Sequence, residues 1–491
     1  MVKSDFGKRQ IEALMYCVHY FVVLKYFGQL AFIMALLSSV PLIVSLLYGQ
    51  YAVSFRYAVV IMILILLSFL TRRIKKPDII QTNEALTVVM LAFLVSPLLM
   101  TYPMMGTGLS FEDALFETVS AVTTTGLSVL PTVEDKPEVF LFARAWIQWY
   151  GGLGIVVLSL ALVFSPDSLT RRLADTQFEK KDLVENTHMY AQKIIIIYLF
   201  LTACGFLCLV IAGVDWLNSL VHTFAAISTG GFSSFDQSLA GFSHWSTRAI
   251  IVIISLTGAV PFALYYKAKL KNISVFFRDP EVKGLFLALT LITSLLILTM
   301  HYYSNFSWDK SLSHAFLMGI SAQSTAGFSS FDLSGLDNVS KITMILAMAI
   351  GGGTGSTAGG IKLFKIIILI KVIELFLIRL QVSKHAVIKL RINGVPIQPD
   401  EIESSLVFIF LFTGIIIFSW IPFIACGYEP LNALFDVVSA MATVGLSSGV
   451  TSHELPTILK MILCFDMLAG RVEIIALLVF LYPRNWYHIR R

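Results

Sequence analysis

Four short stretches set a threonine two residues ahead of a glycine and a serine two residues beyond it. They are Thr124-Thr125-Gly126-Leu127-Ser128, Thr229-Gly230-Gly231-Phe232-Ser233, Thr325-Ala326-Gly327-Phe328-Ser329 and Thr443-Val444-Gly445-Leu446-Ser447. The chemistry available to them lies in the main chain. Glycine adopts backbone angles that a Cβ resists, so successive carbonyls can be turned toward one side. A membrane tolerates irregular backbone only where it is buried in protein or lines a wet cavity. Four such segments around one axis could therefore replace a cation's hydration shell with carbonyl oxygens. Taken singly, Thr-x-Gly-x-Ser is also an ordinary turn signal in a polar loop. Four copies, each after a short, mostly apolar segment and ahead of a loop and a long apolar run, favour the ring.

The elements that must position these stretches are membrane helices. Of 491 residues, 57% are apolar and only 14% charged, and the mean hydropathy is +0.80, outside the range of soluble domains. The five cysteines, Cys17, Cys204, Cys208, Cys426 and Cys464, follow no metal-ligand or disulfide-framework spacing. No compact apolar core ending in a small-residue cleavage site follows the charged N-terminus, so the first membrane segment is expected to be retained.

With about 20 apolar residues needed per crossing, Leu24 to Leu47 and Ala52 to Leu70 form an N-terminal helix pair. The pattern then cycles four times through a spanning helix, a half-length helix, the motif and a second spanning helix. The half-length helices are placed at Phe111 to Thr123, Trp216 to Ser228, Leu312 to Ser324 and Pro430 to Ala442, too short to cross and hence re-entrant. The return helices are placed at Val139 to Phe164, Trp245 to Tyr266, Ile342 to Ile378 and Thr457 to Leu481. Asp113-Ala114-Leu115-Phe116 superposes on Asn432-Ala433-Leu434-Phe435, and Ser120-Ala121 recurs as Ser321-Ala322 and Ser439-Ala440, as duplication would leave it. The expected fold class is an all-α polytopic membrane protein with four pseudo-symmetric helix/pore-loop/helix repeats around one central pore. Its divisions are residues 1–76 (helix pair), 77–170, 171–270, 271–382 (with a broken second helix) and 383–491.

Basic residues concentrate in alternate connections: the N-terminus, Arg72 to Lys76, the linker with Arg171, Arg172, Lys180 and Lys181, Lys267 to Lys283, the linker with Arg379, Lys384, Lys389 and Arg391, and the tail with Arg484, Arg490 and Arg491. The positive-inside rule puts these connections and both termini in the cytoplasm, with ten spans. The motif loops fall on the opposite side, which carries Glu112, Asp113, Glu117, Glu134 and Asp135. Those acids are expected to raise the local cation concentration over roughly 8 Å at physiological salt; Glu112 and Asp113 equally suit a helix N-terminus. The C-terminal end of each short helix, partially negative, would point at the ring and favour a cation.

Two further features stand out. The run Gly351-Gly352-Gly353-Thr354-Gly355-Ser356-Thr357-Ala358-Gly359-Gly360 interrupts an apolar stretch too long for one span, and at about 1 kcal/mol lost per glycine relative to alanine the helix should break there. A close-packed face of small residues is the alternative. Arg471 sits in an apolar run, where arginine costs about 2.5 to 3.5 kcal/mol on insertion scales, so it must face protein or water; Asp466 and Glu473 are possible partners. Lys362 reads either as a charge beside the glycine run or as a partner for helix-end carbonyls, and Gln148 as an interhelical hydrogen-bonder. Gly353 to Ala358 fits a dinucleotide fingerprint with Glu374 beyond it, but membrane-length flanks and the lack of a βαβ pattern exclude that use.

The four motifs, Trp149-Tyr150-Gly151-Gly152-Leu153-Gly154-Ile155-Val156-Val157-Leu158, the glycine run with Ile361-Lys362, and Gly470-Arg471-Val472-Glu473-Ile474 together resemble the Trk/Ktr/HKT superfamily of potassium transporters. The extra helix pair resembles its TrkH-like branch, and the resemblance covers essentially the whole chain. It implies potassium as the transported ion, with rubidium also conducted and no covalently bound cofactor. It assigns the filter carbonyls to Thr124, Thr125, Gly126, Thr229, Gly230, Gly231, Thr325, Ala326, Gly327, Thr443, Val444 and Gly445. In the family the glycine-rich loop lies beneath the filter, and the residue matching Arg471 projects into the path; Lys362 is grouped with this gate. A cytoplasmic (inner) membrane location, a homodimer, cytosolic nucleotide-binding RCK-type regulatory subunits, contact with membrane lipid and no nucleic acid complete the expectation. The competing class is a secondary transporter of another solute with a midplane site, which predicts inverted repeats instead of four copies facing one way.

Overall fold

The computed structural model describes residues 17–74, 80–163, 183–270, 272, 274–382 and 390–486. Of the basic connections above, Lys75, Lys76, Arg171, Arg172, Lys180, Lys181, Lys384, Lys389, Arg490 and Arg491 lie outside these residues, as does the N-terminal charge cluster.

Two long apolar helices open the chain, α1 (Tyr20–Leu47) and α2 (Tyr51–Arg72). They cross closely at Gly28, where a Cβ would run into the Thr71 side chain. The pair packs on the first repeat through Tyr57, Val60 and Leu64, all buried, and the Trp146 indole N–H donates to the Leu37 carbonyl at 2.9 Å.

The first repeat consists of α3 (Thr82–Met104), the short α4 (Phe111–Val122) and α5 (Glu138–Val163). The second contains α6 (Leu183–Ile211), the short α7 (Trp216–Ile227), α8 (Trp245–Ala259) and α9 (Phe262–Leu270). In the third, α10 (Pro280–Tyr302) and the short α11 (Trp308–Gln323) lead to α12 (Asn338–Ile350) and α13 (Leu363–Arg379). The fourth comprises α14 (Pro399–Ala425), the short α15 (Pro430–Met441), α16 (Thr457–Arg471) and α17 (Ile474–Leu481). Three of the short helices span 12 residues, about 18 Å at the α-helical rise, well under the roughly 30 Å hydrocarbon core. Side chains fix where three of them start: Ser110, Asp215 and Glu429 accept from the backbone N–H groups of Asp113, Asn218 and Asn432.

Each return helix packs on the short helix of the following repeat, α5 on α7, α8 on α11, α12 on α15, and α16 back on α4. The four units therefore close into a ring. Six described helices are long and apolar enough to cross a membrane, seven if the bent pair Trp245–Ala259 and Phe262–Lys269 counts as one span. This is a polytopic, all-α membrane protein; among the described residues the only strands are Arg391–Ile392 and Val395–Pro396, joined antiparallel across Asn393 and Gly394, both with positive φ, as a two-residue hairpin turn demands.

The glycine run breaks the third return helix as expected. The second and fourth return helices, expected as continuous spans, are also broken. Val260 is extended at φ −84°, ψ 140° ahead of Pro261, which disfavours the helical conformation of its predecessor and supplies no N–H; the two pieces meet at 85°. In the fourth, Glu473 takes φ 61° between α16 and α17.

Candidate functional site

The four threonines have φ of 52°, 52°, 55° and 50° in chain order, and the four glycines 91°, 76°, 74° and 96°. Thr125, Gly230, Ala326 and Val444 between them are not in that region. Each threonine is the left-handed residue that terminates a short helix. The N–H groups of Thr124, Thr229, Thr325 and Thr443 donate to the carbonyls of Ala121, Ala226, Ala322 and Ala440 at 3.0 to 3.2 Å. Those of the following residues reach back to Ser120, Ala225, Ser321 and Ser439 at 2.7 to 2.9 Å. This is the Schellman pattern, in which glycine is the usual left-handed residue. The threonine is a β-branched exception, so the sequence keeps Thr there despite strain.

The twelve motif residues come together. A Cβ added to Gly126 would strike the Gly230 carbonyl oxygen; on Gly231, that of Ala326; on Gly327, that of Val444; and on Gly445, that of Thr125. The chain of contacts runs from the first motif to the second, third and fourth and returns to the first. Each glycine is thus required twice, by its φ and by the neighbouring carbonyl. Among the described residues, the carbonyls of Thr125, Ala326 and Val444 accept no hydrogen bond, whereas that of Gly230 accepts one from the Gln148 amide at 2.5 Å. The buried hydroxyls of Thr124 and Thr443 have no protein partner. An oxygen-lined ring with the negative ends of four short helices behind it suits a cation with hard-oxygen preference.

Behind the ring stands a set of residues whose shared role the sequence reading did not identify; of the four, it named only Glu117, as an outer acid. Glu117, His222, Met318 and Asp436 lie nine positions ahead of Gly126, Gly231, Gly327 and Gly445. Each holds the chain leaving its motif. Glu117 accepts from the Ser128 hydroxyl at 2.7 Å and the Val129 N–H at 3.0 Å. The His222 ring meets the Ser233 hydroxyl at 3.0 Å, the Ser330 N–H reaches the Met318 sulfur at 3.3 Å, and Asp436 takes Ser447, Ser448 and Thr451. The constant offset was present in the sequence, but the four residue types differ, so no motif announced it.

Glu117 also corrects the expectation of an acidic outer face. It is fully buried and paired with Arg144 at 2.9 Å, whose guanidinium lies 3.7 Å from the Phe232 ring centroid. Asp113 is likewise buried against Lys460 at 2.7 Å. The segments on the motif side thus contain basic residues that pair with these two acids, and linear position alone did not reveal it.

The glycine-rich loop lies on the threonine side of the ring. The Gly359 N–H donates to the Thr325 hydroxyl at 2.7 Å, and the Gly360 N–H to the Ala442 carbonyl at 3.1 Å. A Cβ on Gly359 would strike the Ala442 carbonyl and the Thr443 hydroxyl. The Thr357 hydroxyl donates within reach of Ile227 and Gly258 carbonyls at 3.0 and 2.9 Å, the Gln323 amide holds the Gly351 carbonyl at 2.7 Å, and the Thr354 N–H donates to Glu281, a partner sequence reading missed, at 2.5 Å. Gly352, Gly353, Gly355, Ser356 and Ala358 complete the loop, which touches three of the four short-helix ends. The run is thus not a continuous helix face, although its glycines do pack closely against their neighbours.

Arg471 donates to the Thr357 carbonyl at 2.7 Å, and its Nε and Nη2 are buried without a partner. Among the described residues no ion pair joins it to Asp466 or Glu473: Ser419 donates to Asp466 at 2.6 Å, and Glu473 faces Lys365 at 3.6 Å. Lys362, at φ 76°, is buried among the charges of Glu473, Arg471, Lys365 and Glu281. Lys362, Arg471 and Glu473 line, with Phe408, Gly470 and the loop residues Ala358 to Gly360, a space of about 10 Å³, room for one water at most.

The fold is that of a polytopic membrane protein whose four helix–loop–helix units close into a ring, and comparison with known proteins places it among cation transport proteins. The profile of the TrkH cation transport proteins matches residues 52–487, and the chain belongs to that family. It is 29% identical over 481 residues to the Trk system potassium uptake protein TrkH of Halomonas elongata, covering 95% of this chain and 99% of that one. It is 30% identical over 389 residues to TrkH of Escherichia coli, 77% and 80% of the two chains. The crystal structure of the potassium transporter TrkH from Vibrio parahaemolyticus superposes with a TM-score of 0.84 at 25% identity, over 96% of this chain and 100% of that one.

Proposed function

We propose that this chain carries potassium across the cytoplasmic membrane through the ring of Thr-x-Gly segments, with main-chain oxygens of the twelve motif residues in place of the ion's water shell. The observation that carries the proposal is the closed cycle in which each motif glycine abuts a carbonyl of the next motif. The partnerless hydroxyls of Thr124 and Thr443 support it, and the relatives' names indicate potassium as the ion. Rubidium, close to potassium in size, is conducted as well. The loop Gly351 to Gly360, with Lys362 and Arg471, forms the gate, Arg471 tying the loop to α16 through Thr357. Both termini face the cytoplasm, and the protein works as a homodimer under nucleotide-binding RCK-type cytosolic subunits.

Purified protein in proteoliposomes is expected to take up tracer rubidium. Gly327→Asp forces a side chain onto the Val444 carbonyl and is expected to abolish uptake. Unaltered uptake by folded Gly327→Asp protein overturns the proposal.

A further inference from the structure

The second motif departs from the other three at two positions, and one of them meets a side chain that the other motifs lack. Ser120, Ser321 and Ser439 brace the first, third and fourth motifs: the hydroxyls of Ser120 and Ser321 donate to the Leu127 and Phe328 carbonyls at 2.6 and 2.7 Å. The Gly126 and Gly445 N–H groups donate to Ser120 and Ser439 at 3.0 Å each. The second repeat has Ala225 at that position and has no hydroxyl to do this. The residue ahead of the motif glycine carries a Cβ in Thr125, Ala326 and Val444 but is Gly230 in the second repeat. A Cβ on Gly230 would sit 2.5 to 2.8 Å from the Gln148 carboxamide.

Gln148, fully buried on α5, fills that space and uses both ends of its amide. Its Nε2 donates to the Gly230 carbonyl at 2.5 Å, and its Oε1 accepts from the Phe232 N–H at 3.3 Å. The amide orientation is fixed by these two partners, one an acceptor and the other a donor. The corresponding sites on the other return helices, three residues ahead of Gly258, Gly351 and Gly470, hold Ser255, Met348 and Met467.

We infer that Gln148 is a positioning residue that sets ion discrimination at the second motif by fixing the angle of the Gly230 carbonyl. The inference rests on the proposed filter. Gly230 then leaves the room that Gln148 occupies, and the ring is built with one carbonyl tethered from behind and three untethered.

The experiment uses the full-length protein in proteoliposomes and compares rubidium with sodium permeability. Gln148→Met, the residue found at the matching sites of two other repeats, is expected to lower the rubidium-to-sodium ratio about five-fold, the factor one net hydrogen bond is worth. Gln148→Glu, which keeps the acceptor and loses the donor, is expected to lower the ratio too and serves if the methionine variant fails to fold. An unchanged ratio in folded Gln148→Met or Gln148→Glu protein overturns the inference, as does a fall in total flux at constant ratio. Wild-type protein that passes no rubidium would instead count against the potassium proposal itself.

Discussion

Each motif threonine is held where a β-branched residue is strained by about 1 to 2 kcal/mol, four times in one chain. The strain persists because the surrounding hydrogen bonds over-determine the turn, and the hydroxyl has work that glycine could not do: Thr325 receives the Gly359 N–H of the loop. Thr325→Val keeps the shape and removes the acceptor, so it is expected to raise resting rubidium flux without altering the rubidium-to-sodium ratio. Behind the ring, Glu117→Gln leaves Arg144 buried beside a neutral partner. The expected loss is about 3 kcal/mol, as for breaking one side of a buried pair, read as a lower midpoint of thermal unfolding in detergent. At this scale the sequence was informative where one residue type recurs. The threonines and glycines were legible from spacing; Glu117, His222, Met318 and Asp436 were not, because a carboxylate, an imidazole and a thioether perform one bracing task in different ways.

Among the elements, the broken return helices position the loop. Ala259 and Gly258 at the second break accept from the Gly353 and Thr357 N–H groups at 2.9 and 3.1 Å, so carbonyls freed by the bend of α8 become the loop's partners. The break at the glycine run could be read from helix propensity. Pro261 was equally visible, yet a count of apolar residues passes over one proline in a hydrophobic run. The break before Glu473 had no comparable local signal: Val472 and Glu473 are ordinary helix residues, and the left-handed turn goes with the contact between Glu473 and Lys365. Gly359→Ala puts a methyl against the Ala442 carbonyl and Thr443 hydroxyl. It is expected to displace the loop and increase flux severalfold in the absence of any cytosolic subunit, measured by rubidium uptake; flux equal to wild type would show that the loop does not obstruct the path.

For the whole molecule, stability depends on the seams between repeats. Lys460 of α16 reaches Asp113 on α4 at 2.7 Å, closing the fourth repeat on the first, and Lys341 of α12 reaches Asn432 on α15 at 2.8 Å. Asp113 and Asn432 are the residues that superpose in the repeat alignment, so the same seam is joined by an ion pair in one place and a charge-assisted hydrogen bond in another. Lys460→Met is expected to lower stability by about 2 kcal/mol, seen in thermal unfolding, with ion discrimination retained. The four-unit order was legible because duplication left collinear traces. Which unit touches which, and with what side chain, was not, since those contacts join residues up to 347 positions apart.

Because all four quarters are encoded in a single polypeptide, a substitution enters the ring once. In a tetramer of identical subunits, the alanine and glycine of the second quarter, and the glutamine with which the first quarter holds it, would arise in every subunit together. A fused gene can instead drift one quadrant at a time, with the remaining three serving as a template while the fourth explores a different way to hold the same oxygen.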